Sequence, residues 1–133
     1  MENGDIMINK SRNTPEVILD TQKKYFSLRG VSYPENAKKF YEPIFDMAKN
    51  YIDKKNPKNE ITLEIDFDYF NTSSSRMLFQ IFKLFNNAVE GDNMGVNIVW
   101  KYEADDVDMI ESGKDFDHMF SNLQFRLTEK EDC

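Results

Sequence analysis

The stretch Glu60-Ile61-Thr62-Leu63-Glu64-Ile65-Asp66-Phe67-Asp68-Tyr69, followed by Phe70-Asn71-Thr72-Ser73-Ser74-Ser75, decides the fold of this chain. Ile61, Leu63, Ile65, Phe67 and Tyr69 alternate with Thr62, Glu64, Asp66 and Asp68. A period of two places the first set on one face of a β-strand and the second set on the other. A strand covered by helices on both faces reads as a continuous apolar run, whereas this one reads as one packed face and one wet face. Directly after it, Met77, Leu78, Ile81, Phe82, Leu84, Phe85 and Ala88 recur at helical spacing, which predicts a helix from about Ser73 to Glu90, closed by Gly91. The junction therefore gathers hydroxyls at a helix N-terminus, where unpaired amides and the positive end of the helix dipole favour an anion.

The same grammar extends in both directions. Val96, Ile98, Trp100 and Tyr102 oppose Asn97, Val99, Lys101 and Glu103, and Leu123, Phe125 and Leu127 oppose Gln124, Arg126 and Thr128. Upstream, Glu16–Asp20 and Lys24–Gly30 read as two strands joined by a turn at Thr21-Gln22-Lys23. A loop, Val31 to Asn36, leads into a helix whose stripe is Phe40, Tyr41, Ile44, Phe45, Ala48, Tyr51 and Ile52. Pro34 suits the first turn of that helix, Pro43 is expected to kink it or mark a late start, and Asn56-Pro57 follows its end. A third helix is predicted from Asp105 to about Ser121, with Val107, Ile110, Phe116, Met119 and Phe120 inward and Gly113 weakening its middle. The expected order is β-β-α-β-α-β-α-β: an α/β fold with a mixed sheet and helices mainly on one face. One domain is expected over residues 15–128, between flexible tails at 1–14 and 129–133.

Bulk properties narrow the function. A chain of 133 residues with 11 Phe can bury one core without disulfides or a metal. Its net charge of -7, with no basic stripe, argues against nucleic acid and for protein partners. The single cysteine, Cys133, excludes a disulfide framework and suits a cytoplasmic setting. No apolar run resembles a signal peptide or approaches the roughly 20 residues of a membrane helix.

Few constellations could carry chemistry. Glu64, Asp66 and Asp68 share a strand face and could offer carboxylates to a divalent metal, but no other segment visibly converges on them. Arg29, Lys101 and Arg126 alternate suitably to pair with them instead. His118 stands alone, without a second histidine, a cysteine or a triad motif. With five glycines and neither a GxGxxG nor a GxxxxGK[ST] pattern, nucleotide binding has no support. Asp105, Asp106 and Asp108 fit the dipole at the start of the third helix. Physical reading of the remaining motifs stops at Thr72 or Ser73 as an N-cap and Tyr33-Pro34-Glu35-Asn36 as a helix-entry loop.

Those two motifs also carry a resemblance. Through Ser32-Tyr33-Pro34-Glu35-Asn36, Asn71-Thr72-Ser73-Ser74 and the weaker Trp100-Lys101-Tyr102, the chain resembles the SiaC family of bacterial regulatory phosphoproteins over roughly residues 15–128. The family's fold is similar to the STAS domains of anti-sigma-factor antagonists. The resemblance implies a non-enzymatic partner switch without a cofactor. A histidine-kinase-like Ser/Thr protein kinase would phosphorylate the threonine of the N-T-S-S motif, here Thr72, and a PPM-type phosphatase would reverse it. Ser73, Ser74 and Ser75 are the alternative acceptors. The unphosphorylated form would bind and stimulate a diguanylate cyclase, a GGDEF-domain protein, and so set cyclic di-GMP output in biofilm regulation. Tyr33, Pro34, Glu35 and Asn36 are expected beside Asn71, Thr72, Ser73 and Ser74, completing the partner-binding surface. Two other readings stand beside this one: an anti-sigma-factor-antagonist-like switch with a different target, and a small metal-binding protein using the acidic strand face.

Overall fold

The computed structural model describes residues 5–54, 60–92 and 94–131. Among them the strands are β1 (Ile6–Ile8), β2 (Glu16–Asp20), β3 (Tyr25–Ser32), β4 (Glu60–Phe70), β5 (Gly95–Tyr102) and β6 (Gln124–Glu129). The helices are α1 (Ala37–Asp53), α2 (Thr72–Asp92) and α3 (Val107–Met119). The six strands form one sheet in chain order; β1, β2 and β3 pair antiparallel, and β3 through β6 pair parallel. Each parallel connection steps one strand in the same direction, and right-handed crossovers of that kind put every helix on one face. That face holds the core, with Phe26, Leu28, Ile61, Leu63, Ile65, Phe67, Ile98 and Trp100 from the strands meeting Tyr41, Ile44, Leu78, Phe82, Phe85 and Phe116 from the helices.

Both expected tails contribute to the fold. In the N-terminal segment, Ile6-Met7-Ile8 supplies a short apolar run that pairs with β2, from Ile6 opposite Leu19 to Ile8 opposite Val17. The Asp5 carboxylate accepts hydrogen bonds from the Thr21 amide and hydroxyl, each 2.8 Å, and fastens the strand. At the other end β6 includes Glu129, and the Lys130 amide donates to the Tyr102 carbonyl at 2.8 Å. The low hydropathy of both segments concealed these backbone pairings. Cys133 lies outside the described residues.

Three local expectations also change. Asn36 caps α1 by accepting from the Lys39 amide at 3.0 Å, so Pro34 precedes the cap rather than occupying the first turn. The helix starts well before Pro43 and continues past it to Asp53, its lost hydrogen bond lying on an exposed face. Asn56 and Pro57 lie outside the described residues.

On α3 the buried side is Met109, Gly113 and Phe116, while Val107 and Met119 are 65% and 55% exposed. Gly113 decides that rotation. A Cβ there would sit 2.6 Å from Trp100 Cδ1, so glycine lets the helix lie against the indole, whose Nε1 donates to the Met109 carbonyl at 3.0 Å. The helical cost of this glycine is offset by close packing on the largest core side chain.

The most consequential change is in β4. Gly30 pairs with Phe67 but Val31 pairs with Tyr69, leaving Asp68 as an extra residue. Such a bulge reverses the inward–outward alternation beyond it. Tyr69, expected inward, is therefore 54% exposed, and Phe70 turns in against Phe67 and Trp100 with ring centroids 5.7 and 5.9 Å apart.

Candidate functional site

Parallel pairing of β3 and β4 brings their carboxyl ends to the same end of the sheet. The Asn71 amide donates to the Ser32 carbonyl at 3.0 Å, so the hydroxyl run and the Tyr33–Asn36 loop begin from hydrogen-bonded neighbours. Tyr33, 40% exposed, meets the outward-turned Tyr69 edge to face at 6.0 Å between centroids. Pro34 is buried beneath the loop, whereas Glu35 and Asn36 are exposed. The Tyr33 amide donates to the Asn13 carbonyl at 2.8 Å, so the N-terminal segment braces the loop from behind.

The hydroxyl run is sorted by the helix it opens. Asn71 is the N-cap: its side-chain oxygen accepts from the Ser74 amide at 2.9 Å, and its carbonyl accepts from the Ser75 amide at 2.9 Å. This corrects the assignment of the cap to Thr72 or Ser73; an Asn one residue earlier already supplies the acceptor that an N-cap needs. Thr72 and Ser73 become the first two helical residues, whose amides have no acceptor within the helix. Both side chains are exposed, Ser75 is half-buried, and Ser74 is fully buried.

Burial of Ser74 rests on a chain of hydroxyls. Its Oγ donates to the Ser32 carbonyl at 3.0 Å and lies 2.7 Å from Ser32 Oγ, which lies 2.6 Å from the Tyr41 hydroxyl. Because each hydroxyl has one proton, the direction is determined: Tyr41 donates to Ser32 Oγ, which donates to Ser74 Oγ, which donates to the Ser32 carbonyl. Burial pushes the Tyr41 phenol up to about 12, opposed by the Ser32 and Ser74 hydroxyls, so Tyr41 stays protonated as the first donor. The chain ties α1, β3 and the first turn of α2 together under Thr72.

Two clefts flank the junction. A groove of about 400 Å³ between α2 and α3 is lined by Thr72, Ser75, Arg76, Phe79, Asp115 and Met119 among others. A smaller cleft of about 220 Å³, between the end of β4 and the start of α3, is lined by Asp68, Tyr69, Phe70, Asp106, Asp108, Met109 and Ser112. Asp106 caps α3 through the Met109 amide at 3.1 Å.

The acidic face of β4 is an ion-pair network. Glu64 lies 3.7 Å from Lys101 and accepts from the Tyr25 hydroxyl at 2.9 Å; Asp66 lies 3.5 Å from Arg29. Burial and then the Glu64 carboxylate push the Tyr25 phenol up. The third cation is Lys130 rather than Arg126: its Nζ reaches Asp66 at 2.9 Å, Asp68 at 3.2 Å and the Phe67 carbonyl at 3.1 Å. Burial pulls the Lys130 ammonium down, but bonds and charge from Asp66 and Asp68 outweigh it and the net shift is upward. Among the described residues no three His, Cys, Asp or Glu side chains are grouped to hold a metal. His118 is exposed on the last turn of α3.

Sequence reasoning placed Thr72, the Tyr33 loop and Asn71 at one end of the sheet, but missed Tyr41, Tyr69, Arg76 and Lys130. Arg76 had a visible signal, standing four residues after Thr72 on the same helix face. Lys130 had none, because its partners lie some sixty residues away in the chain.

The same fold recurs in known proteins. The family model described as SiaC family regulatory phosphoprotein matches residues 8–130. A protein of Pseudomonas aeruginosa strain UCBPP-PA14 is 27% identical over 114 residues, covering 85% of this chain and 87% of the relative. The crystal structure of apo-SiaC from Pseudomonas aeruginosa superposes with a TM-score of 0.82 at 26% identity, covering 93% of this chain and 98% of that one. The structure of the diguanylate cyclase SiaD in complex with its activator SiaC, from the same organism, gives a TM-score of 0.86 at 25% identity. Coverage there is 95% of this chain and 100% of the matched chain.

Proposed function

The chain belongs to the SiaC family of regulatory phosphoproteins, and from that premise we propose that it is a non-enzymatic, cytoplasmic switch whose unphosphorylated form binds and stimulates a diguanylate cyclase. Thr72 is the phosphoacceptor, a histidine-kinase-like Ser/Thr protein kinase modifies it, and a PPM-type phosphatase restores it. The observation that carries the reading is the full-length match to a SiaC chain solved on the cyclase it activates. Local geometry supports the choice of acceptor: Thr72 is exposed at the helix start, whereas Ser74 is buried in the hydroxyl chain and Ser75 is half-buried. Ser73 is the exposed rival.

The switch follows from charge. Phosphate adds about -1.5 to -2 charges and three acceptor oxygens. At the first helical position, free amides and the dipole make it tolerable to the fold, stabilising it by roughly 0.3–1 kcal/mol. A partner packed against a neutral hydroxyl has no such compensation. Desolvating the new charge costs a few kcal/mol, on the order of 100-fold in affinity. Tyr33, Glu35 and Asn36, with Asn71, Thr72 and Ser73, form the docking surface; Pro34 and Ser74, expected in it, are buried and act as its support, and the exposed Tyr33–Tyr69 pair is its apolar anchor.

The test is reconstitution with a diguanylate cyclase and the kinase. Cyclic di-GMP synthesis should rise on adding the purified chain, fall again after kinase and ATP treatment, and stay high when Thr72→Ala replaces the wild type. Equal sensitivity of Thr72→Ala to the kinase would reject Thr72, and an unmoved cyclase rate would reject the target.

A further inference from the structure

We propose, building on Thr72 as the acceptor, that Arg76 receives the phosphate and draws it into the groove between α2 and α3. The two residues stand four apart on α2, which brings their Cβ atoms within about 6 Å on one helix face. Both line that groove, whereas Ser73, the exposed rival acceptor, does not. Arg76 is exposed and, among the described residues, makes no ion pair or hydrogen bond. Three cations of the wet sheet face are already engaged, Arg29 and Lys130 with Asp66 and Lys101 with Glu64, and Arg126 stands on that face away from the groove. Arg76 is thus an unengaged guanidinium one helical turn below the proposed phosphate, with a planar fork that matches two phosphate oxygens.

The pairing changes more than the acceptor. Arg76 is the one cation and Asp115 the one carboxylate among the residues lining the groove, whose apolar surface includes Phe79, Phe116 and Met119. Unmodified, the groove carries compensating charges and a partly exposed apolar floor. With phosphate held by Arg76 its cation is neutralised, its net charge turns negative, and its upper end is filled. A modification confined in sequence to Thr72 therefore alters a surface two turns long, enlarging what a partner can distinguish.

Titration of the phosphate itself tests this without any partner. The whole chain is prepared with phosphothreonine placed at position 72 during synthesis, and its phosphorus NMR shift is followed from pH 4 to 8. The charged groups facing the phosphate across the groove are Arg76 on α2 and Asp115 on α3. Pairing with Arg76 favours the dianion, so Arg76→Gln should raise its second pKa by about half a unit, and Arg76→Lys should recover part of the difference. Asp115→Asn should shift the value in the opposite direction. Circular dichroism of each unmodified variant checks that the fold is retained. A pKa unchanged by Arg76→Gln in a folded protein overturns the proposal. Because the phosphate is installed synthetically, that result leaves Thr72 standing as the acceptor. Conversely, a kinase that modified another residue would defeat the acceptor assignment and leave this titration intact.

Discussion

The wet face of the sheet and its carboxyl end both present polar side chains from β4 and its extension, yet they dispose of them in opposite ways. On the wet face, Glu64 and Asp66 meet cations from β3, β5 and the segment after β6, and the network closes on itself in contact with water. At the carboxyl end, four consecutive hydroxyl residues are divided: Ser74 is consumed by the Tyr41–Ser32–Ser74 chain, and Thr72 is left at the surface above it. A row of like residues in sequence need not share a role. The buried hydroxyls tie the elements of the platform together, and those of Thr72 and Ser73 remain at the surface.

Stability measurements on single variants distinguish the two regions. The largest effect concerns Tyr41, whose phenol is pushed from 10 to about 12 by burial. A group raised in the folded state contributes stability below its unfolded pKa and loses it as pH climbs through the folded value. Between pH 10 and 12 the wild type should therefore lose roughly 2–3 kcal/mol that Tyr41→Phe does not. Urea midpoints of the two proteins should converge over that interval; parallel curves would deny the buried phenol. Next, Ser74→Ala strands the Ser32 hydroxyl and should cost about 1–3 kcal/mol, while Thr72→Ala stays within about 0.5 kcal/mol by the same assay.

Smaller effects belong to the wet face. Lys130→Met removes a mostly buried ammonium from Asp66, Asp68 and the Phe67 carbonyl, and a loss of about 1–2 kcal/mol is expected in chemical denaturation. Arg29→Ala, by contrast, breaks a pair whose cationic side chain is 59% exposed, and should cost less than about 0.5 kcal/mol, falling further in salt. If Arg29→Ala proved as costly as Ser74→Ala, the two regions would not differ as described.

How much of this was legible in advance varies with distance along the chain. The alternation of Ile61 to Phe67 and the stripes of α1 and α2 follow from local periodicity, and the mixed sheet with helices on one face follows from the element order and the wet outer faces of the strands. The address of the candidate site, Thr72 beside Tyr33, followed from two motifs resembling the SiaC family. What stayed hidden depends on contacts between distant segments. The Asp68 bulge is a matter of register between β3 and β4, and it alone turns Tyr69 outward. Gly113 looked like a flaw in α3 because Trp100, thirteen residues earlier, is what it accommodates. Ile6–Ile8 and Lys130 looked like tail because their partners, β2 in one case and the end of β4 in the other, are chosen by the finished sheet.

On the proposed function, one phosphate at this junction decides whether the chain engages a diguanylate cyclase. Titration calorimetry with the purified cyclase tests it most directly, comparing unmodified protein with protein carrying phosphothreonine at position 72. The phosphorylated form should bind on the order of 100-fold more weakly, a difference of about 2.7 kcal/mol. Equal affinity of the two forms would contradict it.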